Sequence, residues 1–181
     1  MITLESDTLI LQFPEVHEKA IARIEFQRTL RIPDDTKEYP LPPGLGRFPL
    51  RHTEDLKGRV PKDWLARGGL VMPLHRAEAM WIKFGNRTDA YPFAIKIAMG
   101  KINALSGKPW SAELSEHERD YLVAPTQPWL DGYCTAKDLV RQFVAMPLGL
   151  GYSAEEQITG KAEWGGLQII AYPMKAERYE Q

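Results

Sequence analysis

Residues 79–100, AMWIKFGNRTDAYPFAIKIAMG, contain the most regular pattern in the chain. Apolar side chains occupy every second position on both sides of a short polar segment; they are Met80, Ile82, Phe84, Phe93, Ile95, Ile97 and Met99. A period of two is typical of β-strands with one buried face. The intervening GNRTD has the composition of a tight turn. The stretch therefore predicts a β-hairpin, and it indicates a fold built on antiparallel sheet.

A second strand pattern lies upstream, in ARIEFQRTLRI at residues 22–32. Apolar and polar residues alternate there, and Arg28 falls on the apolar face. We expect Arg28 either to extend past the sheet edge or to be held by a buried carboxylate or a ligand, which makes it a candidate binding residue. TLILQF at residues 8–13 alternates in the same way. The PEVHEK segment that follows would connect it to an antiparallel partner.

Between these strands and the central stretch lies PDDTKEYPLPPGLGRFPL, residues 33–50, with five prolines and two glycines. Such a segment cannot be regular helix or central strand. Its interspersed apolar residues predict a long proline-rich loop that packs across the domain surface. A short helix is then expected after Pro61, ending at Gly68.

Downstream, DYLVA at residues 120–124 predicts a strand, and residues 135–147 allow two interpretations. In the first, Thr135 caps a helix that Pro147 terminates. The apolar residues at helical spacing are Leu139, Val140, Phe143 and Val144. In the second, RQFVAMPL forms a strand. Ser153 followed by Glu156 is a capping box that predicts a short helix ending at Gly160, and GLQIIAYPM predicts a last strand.

Strands dominate these predictions, and the helices are few, short and not in regular alternation with them. The expected fold class is therefore α+β, predominantly antiparallel β-sheet with a few short helices and a long proline-rich loop. The 181 residues suit a single globular domain over residues 1–181. Hydrophobic residues at 44% and charged residues at 26% are typical of a chain that folds by itself.

Charge and cysteine usage exclude several function classes. The 23 basic and 24 acidic side chains nearly cancel, so no overall field favours nucleic acid or an anionic membrane. No apolar run approaches the roughly 20 residues that span a bilayer. The single cysteine, Cys134, cannot form an intramolecular disulfide, and the N-terminus lacks the basic region of a signal peptide. Both observations predict a cytoplasmic protein.

The motif GLGYSA, residues 149–154, fits the glycine-rich turn of dinucleotide-binding proteins. Glu155 and Glu156 follow in the first helical turn, where their charges oppose a phosphate. We therefore interpret the motif as a glycine turn before a capped helix, and we expect no cofactor. No metal site is expected either, because His75 and Glu78 have no second ligand pair with site-like spacing.

The best candidate for a ligand site is PTQPWLDGYC, residues 125–134. Trp129 lies there beside Gln127 and Asp131, a combination of aromatic platform and polar side chains that binds sugars, peptides or small ligands. Cys134 precedes a possible helix start, where a helix dipole lowers a thiol pKa. None of the four histidines is close to Cys134 in the sequence, so no catalytic residue is assigned.

Four segments, FQRTLRIPDD, YPLPPGLGRFPLR, VRQFVAMPLGLGYSAEEQITG and GGLQIIAYPMK, resemble those of a group of uncharacterised bacterial proteins. The resemblance covers most of the chain and implies a bacterial, cytoplasmic setting. It also implies that related chains continue beyond this C-terminus, so that residues 1–181 would correspond either to an N-terminal domain of a longer relative or to a short version of the group. It carries no activity, substrate or catalytic residue.

Two functional hypotheses follow. The first is a non-enzymatic binding or assembly module, a homo-oligomer or a partner of another protein, because the chain lacks a catalytic constellation and has aromatic and proline-rich loops suited to recognition. The second is a small-molecule-binding protein or enzyme whose site gathers around Trp129, Asp131 and Cys134.

Overall fold

The computed structural model describes residues 1–33, 35, 37, 39–85, 90–136 and 139–181. Within them the chain forms mostly antiparallel strands with three short α-helices. In chain order the elements are β1 (Ile2–Glu5), β2 (Thr8–Gln12), β3 (Ile21–Thr29), β4 (Arg51–His52), α1 (Lys62–Arg67), β5 (Leu70–Val71), β6 (Ala79–Phe84), β7 (Phe93–Met99), β8 (Ile102–Asn103), β9 (Leu122–Ala124), β10 (Trp129–Leu130), β11 (Gly132–Ala136), β12 (Leu139–Val144), α2 (Ala154–Thr159), β13 (Leu167–Pro173) and α3 (Ala176–Tyr179). The predicted antiparallel sheet and short helices are confirmed. Because no described helix exceeds six residues, the fold is mainly β rather than α+β.

The strands form two principal sheets. The larger has the order β1-β2-β3-β6-β12-β11, with β10 also paired to β6. The smaller has the order β13-β7-β8, with β9 also paired to β7. Strands β4 and β5 form a separate two-stranded ribbon. The connection between β2 and β3 is short and their pairing is antiparallel, as the sequence predicts.

The hairpin predicted over residues 79–100 is wrong, because its two strands belong to different sheets. Strand β6 pairs with β3, where Ile82 lies opposite Phe26, whereas β7 pairs with β13, where Ile97 lies opposite Ile169. Residues 86–89 of the expected turn lie outside the described residues. Alternation identifies the buried face of a strand but not its partner. Here the buried faces of β6 and β7 pack against each other across the core, and the two strands do not pair edge to edge.

One core cluster draws on both sheets. From the larger sheet it takes Leu9, Leu11, Ala22, Ile24, Phe26, Met80, Ile82, Phe84 and Phe143, and from the smaller sheet Phe93, Ile95, Ile97, Leu122, Ala124 and Ala171. The rings of Phe13 and Phe93 are 5.7 Å apart and join the two layers near one end of β7. The sheets therefore pack as layers of a sandwich around shared apolar side chains.

The helix expected from Thr135 is also wrong, and the competing strand interpretation is right. β11 and β12 form an antiparallel hairpin, whose connecting residues 137–138 lie outside the described part of the chain. The apolar residues of this stretch fit either period, but valine and phenylalanine favour a pleated strand. The other predicted elements are present: α1 ends at Gly68, α2 is capped by Ser153 and ends at Gly160, and β9 and β13 form.

A buried ion pair fixes the outer face of the smaller sheet. Lys96 of β7 is fully buried, and its Nζ donates to Asp120 Oδ2 at 2.6 Å and to the carbonyl oxygen of Glu113. Asn103 is also buried and donates to the Asp120 carbonyl oxygen. These bonds hold the segment between β8 and β9 against β7. The smaller sheet is thus covered on its outer face, and its inner face contributes to the core and to the cleft described next.

Candidate ligand-binding cleft

A large cleft opens between the inner faces of the two sheets. Its volume is about 1280 Å³. The apolar lining comes from both layers: Leu9, Leu11, Phe26, Met80 and Phe143 from the larger sheet, and Met99, Leu167 and Ile169 from the smaller. Leu167 and Ile169 remain only half-buried although they point to the interior of the sandwich, because the cleft lies against them. The core is therefore closed at one end and open at the other.

Two charged groups in the cleft lining are bound internally. Glu78, just before β6, accepts from Arg28 Nε at 2.9 Å and from the His75 amide at 2.6 Å. The His75 amide bond is the main cause of a lowered Glu78 pKa, and Arg28 adds to it. The Arg28 guanidinium also lies 4.3 Å from the centroid of the Phe48 ring. Of the arrangements expected for Arg28, pairing with a carboxylate is the one observed.

Glu155 is the second internally bound carboxylate, and it is buried. It accepts from the amides of Glu163, Trp164 and Gly165 at 2.7–2.9 Å. Burial opposes its ionisation, but the three amide bonds outweigh that effect and lower the Glu155 pKa. This carboxylate ties the start of α2 to the segment that leads into β13, so it sets one wall of the cleft.

The start of α2 forms the capping box that the sequence predicts. Ser153 Oγ accepts from the Glu156 amide at 3.2 Å, and Glu156 Oε2 accepts from the Ser153 amide at 3.2 Å. Glu156 Oε1 also accepts from the Gly151 amide at 2.9 Å. The Ser153 hydroxyl is the main cause of a lowered Glu156 pKa. The carboxylate of Glu156 thus occupies amides to which a pyrophosphate would bind.

Basic side chains line the cleft mouth. Arg31 and Arg76 are exposed there, and within the described chain neither makes an ion pair. Arg141 lies deeper, on the inward face of β12, and is half-buried. The acidic side chains Asp35 and Glu54 lie at the exposed rim, where water screens their charge. The two inner carboxylates, Glu78 and Glu155, are already bound by internal donors.

The structure places the sequence-predicted site residues outside this cleft. Trp129 is in β10 opposite Lys83 and is 45% exposed, and Gln127 Nε2 donates to its carbonyl oxygen at 3.2 Å. Asp131 is exposed between β10 and β11.

Cys134 is half-buried in β11, where its amide donates to the Ala104 carbonyl oxygen at 2.7 Å. Arg28 is bound to Glu78. None of these predicted residues lines the cleft, so the structure does not gather them there.

The sequence analysis does not predict the cleft, although one feature of the sequence indicates a site there. An arginine on the apolar face of a strand marks a buried or ligand-facing cation, as reasoned for Arg28. Arg141 gives the same signal once β12 is recognised as a strand, because it alternates with Leu139 and Phe143. The helical interpretation of residues 135–147 concealed it. The volume of the cleft depends on how two sheets pack, which no local pattern encodes.

Comparison with known proteins gives no relative: no family model matches the chain, and neither the curated proteins nor the solved structures contain a match. In the described residues, no helix is long and apolar enough to cross a membrane. The same residues contain no group of three or more His, Cys, Asp or Glu side chains placed to hold a metal ion. The structure shows two principal antiparallel sheets with a cleft between their layers.

Proposed function

We propose that the protein is a non-enzymatic binding module, and that its ligand is an elongated apolar molecule lying between the two sheets. The observation that carries the proposal is the cleft of about 1280 Å³, whose lining combines apolar side chains from both sheets with charged and polar ones. Sites for drug-sized ligands occupy roughly 300–1,000 Å³. The larger volume favours a long-chain molecule over a compact polar metabolite. Burying its chain against Leu11, Leu167 and Ile169 would supply the hydrophobic driving force.

The state of the acidic side chains supports a binding role over a catalytic one. A general acid or base needs a pKa near the working pH. Glu78 and Glu155 have lowered pKa values because internal donors stabilise their ionised forms. Both carboxylates therefore stay ionised and occupied near neutral pH, which suits a structural role at the edge of a binding site.

The setting of the module is part of the proposal. A cytoplasmic location is supported by the single cysteine, which suits a reducing compartment. Four described residues of the proline-rich segment line the cleft and are proposed to form part of its rim: Pro33, Asp35, Lys37 and Leu50. The near-neutral charge of the chain favours a small-molecule ligand over nucleic acid.

Binding of N-phenyl-1-naphthylamine, a neutral apolar probe whose fluorescence rises in apolar surroundings, tests the proposal. The wild type should bind the probe saturably. Ile169→Trp, which fills the cleft from β13, should weaken binding at least about tenfold, whereas Ile158→Trp on the exposed face of α2 should not. Both variants add the same ring, so they separate cleft filling from a change of residue type. Equal binding by all three proteins would refute the cleft as the site.

Assembly with a second copy or a protein partner is a second candidate. Several large apolar side chains near α2 are exposed: Leu148, Leu150, Tyr152 and Trp164. Apolar groups that cluster on a surface are typical of interfaces. Size-exclusion chromatography with light scattering should then give a mass above 20.6 kDa, and Leu150→Glu should restore the monomer. A wild-type mass of one chain would count against self-assembly.

The site around Trp129, Asp131 and Cys134 stays a further candidate because Trp129 exposes 45% of its surface. If Cys134 faces a ligand site, a maleimide should modify it in the native protein at neutral pH. Modification only after unfolding would exclude Cys134 from such a site.

A further inference from the structure

We propose that the ligand of the cleft is an extended peptide segment that pairs antiparallel with the free edge of β13. Its backbone would extend the smaller sheet by one strand, and its apolar side chains would enter the cleft. The inference rests on the proposed function, since it assigns a ligand class to the same cleft. It depends on the direction in which the backbone groups of β13 point and on what each kind of ligand would do to them.

β13 directs every second pair of backbone groups away from its partner strand. The Gly100 amide donates to the Gly166 carbonyl oxygen at 3.0 Å. Because hydrogen-bonded pairs alternate along an antiparallel ladder, every second residue from Gly166 onward bonds to β7. Leu167 and Ile169 lie between those residues, so their amides and carbonyl oxygens point to the other side. Within the described part of the chain, no strand pairs with that side of β13, and these groups have no backbone partner there.

β13 also lacks the features that protect edge strands. Short length, charged side chains and bulges discourage the addition of another strand. β8 and β9 have two and three residues, β1 has four and ends at Glu5, and β11 contains a bulge after Cys134. β13 has seven residues in continuous register, LQIIAYP, with no charge and a proline only at its end. It is therefore the described edge strand best suited to accept a further strand.

The position of this edge favours a peptide over an alkyl chain. Leu167 and Ile169 line the cleft, and they lie opposite Met99 and Ile97 on the inward face of the smaller sheet. An alkyl chain against them would exclude water from their outward amides and carbonyl oxygens without offering a hydrogen bond in return, which is unfavourable. A peptide strand would bond to those groups and place alternate side chains against the same apolar wall.

N-methylated peptides test the inference, because an N-methyl group removes a backbone donor and leaves the side chains unchanged. The parent peptide alternates isoleucine with threonine and has a lysine at each end for solubility. Directly opposite residues of an antiparallel pair share a face, so isoleucines that enter the cleft would also bond to β13. N-methylation of the isoleucines should weaken displacement of N-phenyl-1-naphthylamine at least about tenfold, whereas N-methylation of the threonines should change it less than about threefold.

Ile169→Pro provides the matching test on the protein. Proline has no amide hydrogen, and the Ile169 amide points away from β7, so the ladder between β7 and β13 should stay intact. The variant should bind the parent peptide at least about tenfold more weakly than the wild type. Ile169→Ala keeps the amide and shortens the side chain, so it should weaken the peptide less. Both variants should still bind N-phenyl-1-naphthylamine.

Each outcome decides one question. Equal affinities of the two methylated peptides, or the opposite order, would overturn the inference. Displacement of the probe by dodecanoate but not by the parent peptide would also contradict it, in favour of an alkyl ligand, and would leave the cleft proposal standing. Failure of N-phenyl-1-naphthylamine itself to bind would overturn the proposed function. If Ile169→Pro does not fold, the methylated peptides decide on the wild type alone.

Discussion

Glu155 is the residue on which the cleft wall near α2 depends. It is 3% exposed, and its two carboxylate oxygens accept three backbone amide hydrogens from residues 163–165. A buried carboxylate is stable only when such donors surround it. The three bonds fix a segment that contains two successive glycines with positive φ, Gly165 and Gly166. The hydrogen bonds to the Glu155 carboxylate therefore help to fix the shape of the cleft.

Replacing Glu155 by Gln should destabilise the fold. The amide side chain has one acceptor oxygen, so its NH₂ group would face an amide hydrogen that Glu155 now accepts. We expect a loss of about 1.5–3 kcal/mol in the free energy of unfolding, the range for hydrogen bonds to charged groups. Urea unfolding of the two proteins at pH 7 measures it. Glu156→Gln, which removes a charge from the more exposed capping box, is a control that should cost less.

The cost of Glu155→Gln should depend on pH in a defined direction. The folded-state pKa of Glu155 is below its ordinary value of 4.5, so the unfolded chain takes up this proton first as the pH falls. The stabilisation by Glu155 is therefore complete above pH 4.5 and is lost as the pH falls through the folded-state pKa. Unfolding curves from pH 7 to pH 3 should show the difference between wild type and variant shrinking below about pH 4.5. A constant difference would contradict the assignment.

For single residues, the sequence predicts a hydrogen bond only where the two partners are close together in the chain. Ser153 and Glu156 are three residues apart, so their capping box could be predicted from spacing alone. Glu155 was expected merely to repel an anion, because its donors lie in a loop whose conformation the sequence does not specify.

Among the secondary-structure elements, the close approach of α2 to the β7–β8 turn determines how the two layers pack at this point. Gly100 lies in that turn with φ of +55°, and a Cβ atom built on it would lie 2.5 Å from Glu155 Cβ and Oε2. Only a residue without a side chain allows α2 to approach so closely. The backbone conformation also disfavours any other residue.

Gly100→Ala should therefore destabilise the protein through both steric overlap and backbone strain. Gly160→Ala provides a matched control, because Gly160 has φ of +73° but a Cβ atom there would have no neighbour within 4 Å among the described residues. We expect roughly 1 kcal/mol for Gly160→Ala from the left-handed conformation alone. Gly100→Ala should cost about 1–3 kcal/mol more, the range for overpacking. Equal melting temperatures for the two variants would show that α2 does not pack closely on this turn.

Most of the strands could be predicted, but their pairing could not. The period-two patterns located β3, β6, β7 and β13 because burial of one face leaves a direct trace in the sequence. That trace is the same whether neighbouring strands pair edge to edge or face each other across a core, which is why β6 and β7 were predicted to form a hairpin. For β12 the window was short enough to fit both periods, and the tertiary pairing with β6 decided in favour of a strand.

At the scale of the whole molecule, the sandwich is packed at one end and open at the other. The candidate site could not be predicted from the sequence, because its residues come from strands far apart in the chain and share only their place between the sheets. Trp129 is predicted as a site residue because it is aromatic and lies in a proline-bracketed segment, yet it lies on the outer face of the larger sheet. An exposed tryptophan is conspicuous in a sequence, whereas a half-buried Leu167 or Ile169 resembles any core residue.

The most direct test of the central claim, that the cleft between the sheets is the ligand site, is a methyl-resolved NMR titration with dodecanoate. Shifts are predicted for the methyl groups of Leu11, Leu167 and Ile169, which line the cleft. Those of Ile158 on α2 and Val123 on β9, which do not line it, should stay in place. Saturable shifts confined to the first group would support the account. Shifts confined to the outer face around Trp129, or no shifts at millimolar dodecanoate, would contradict it.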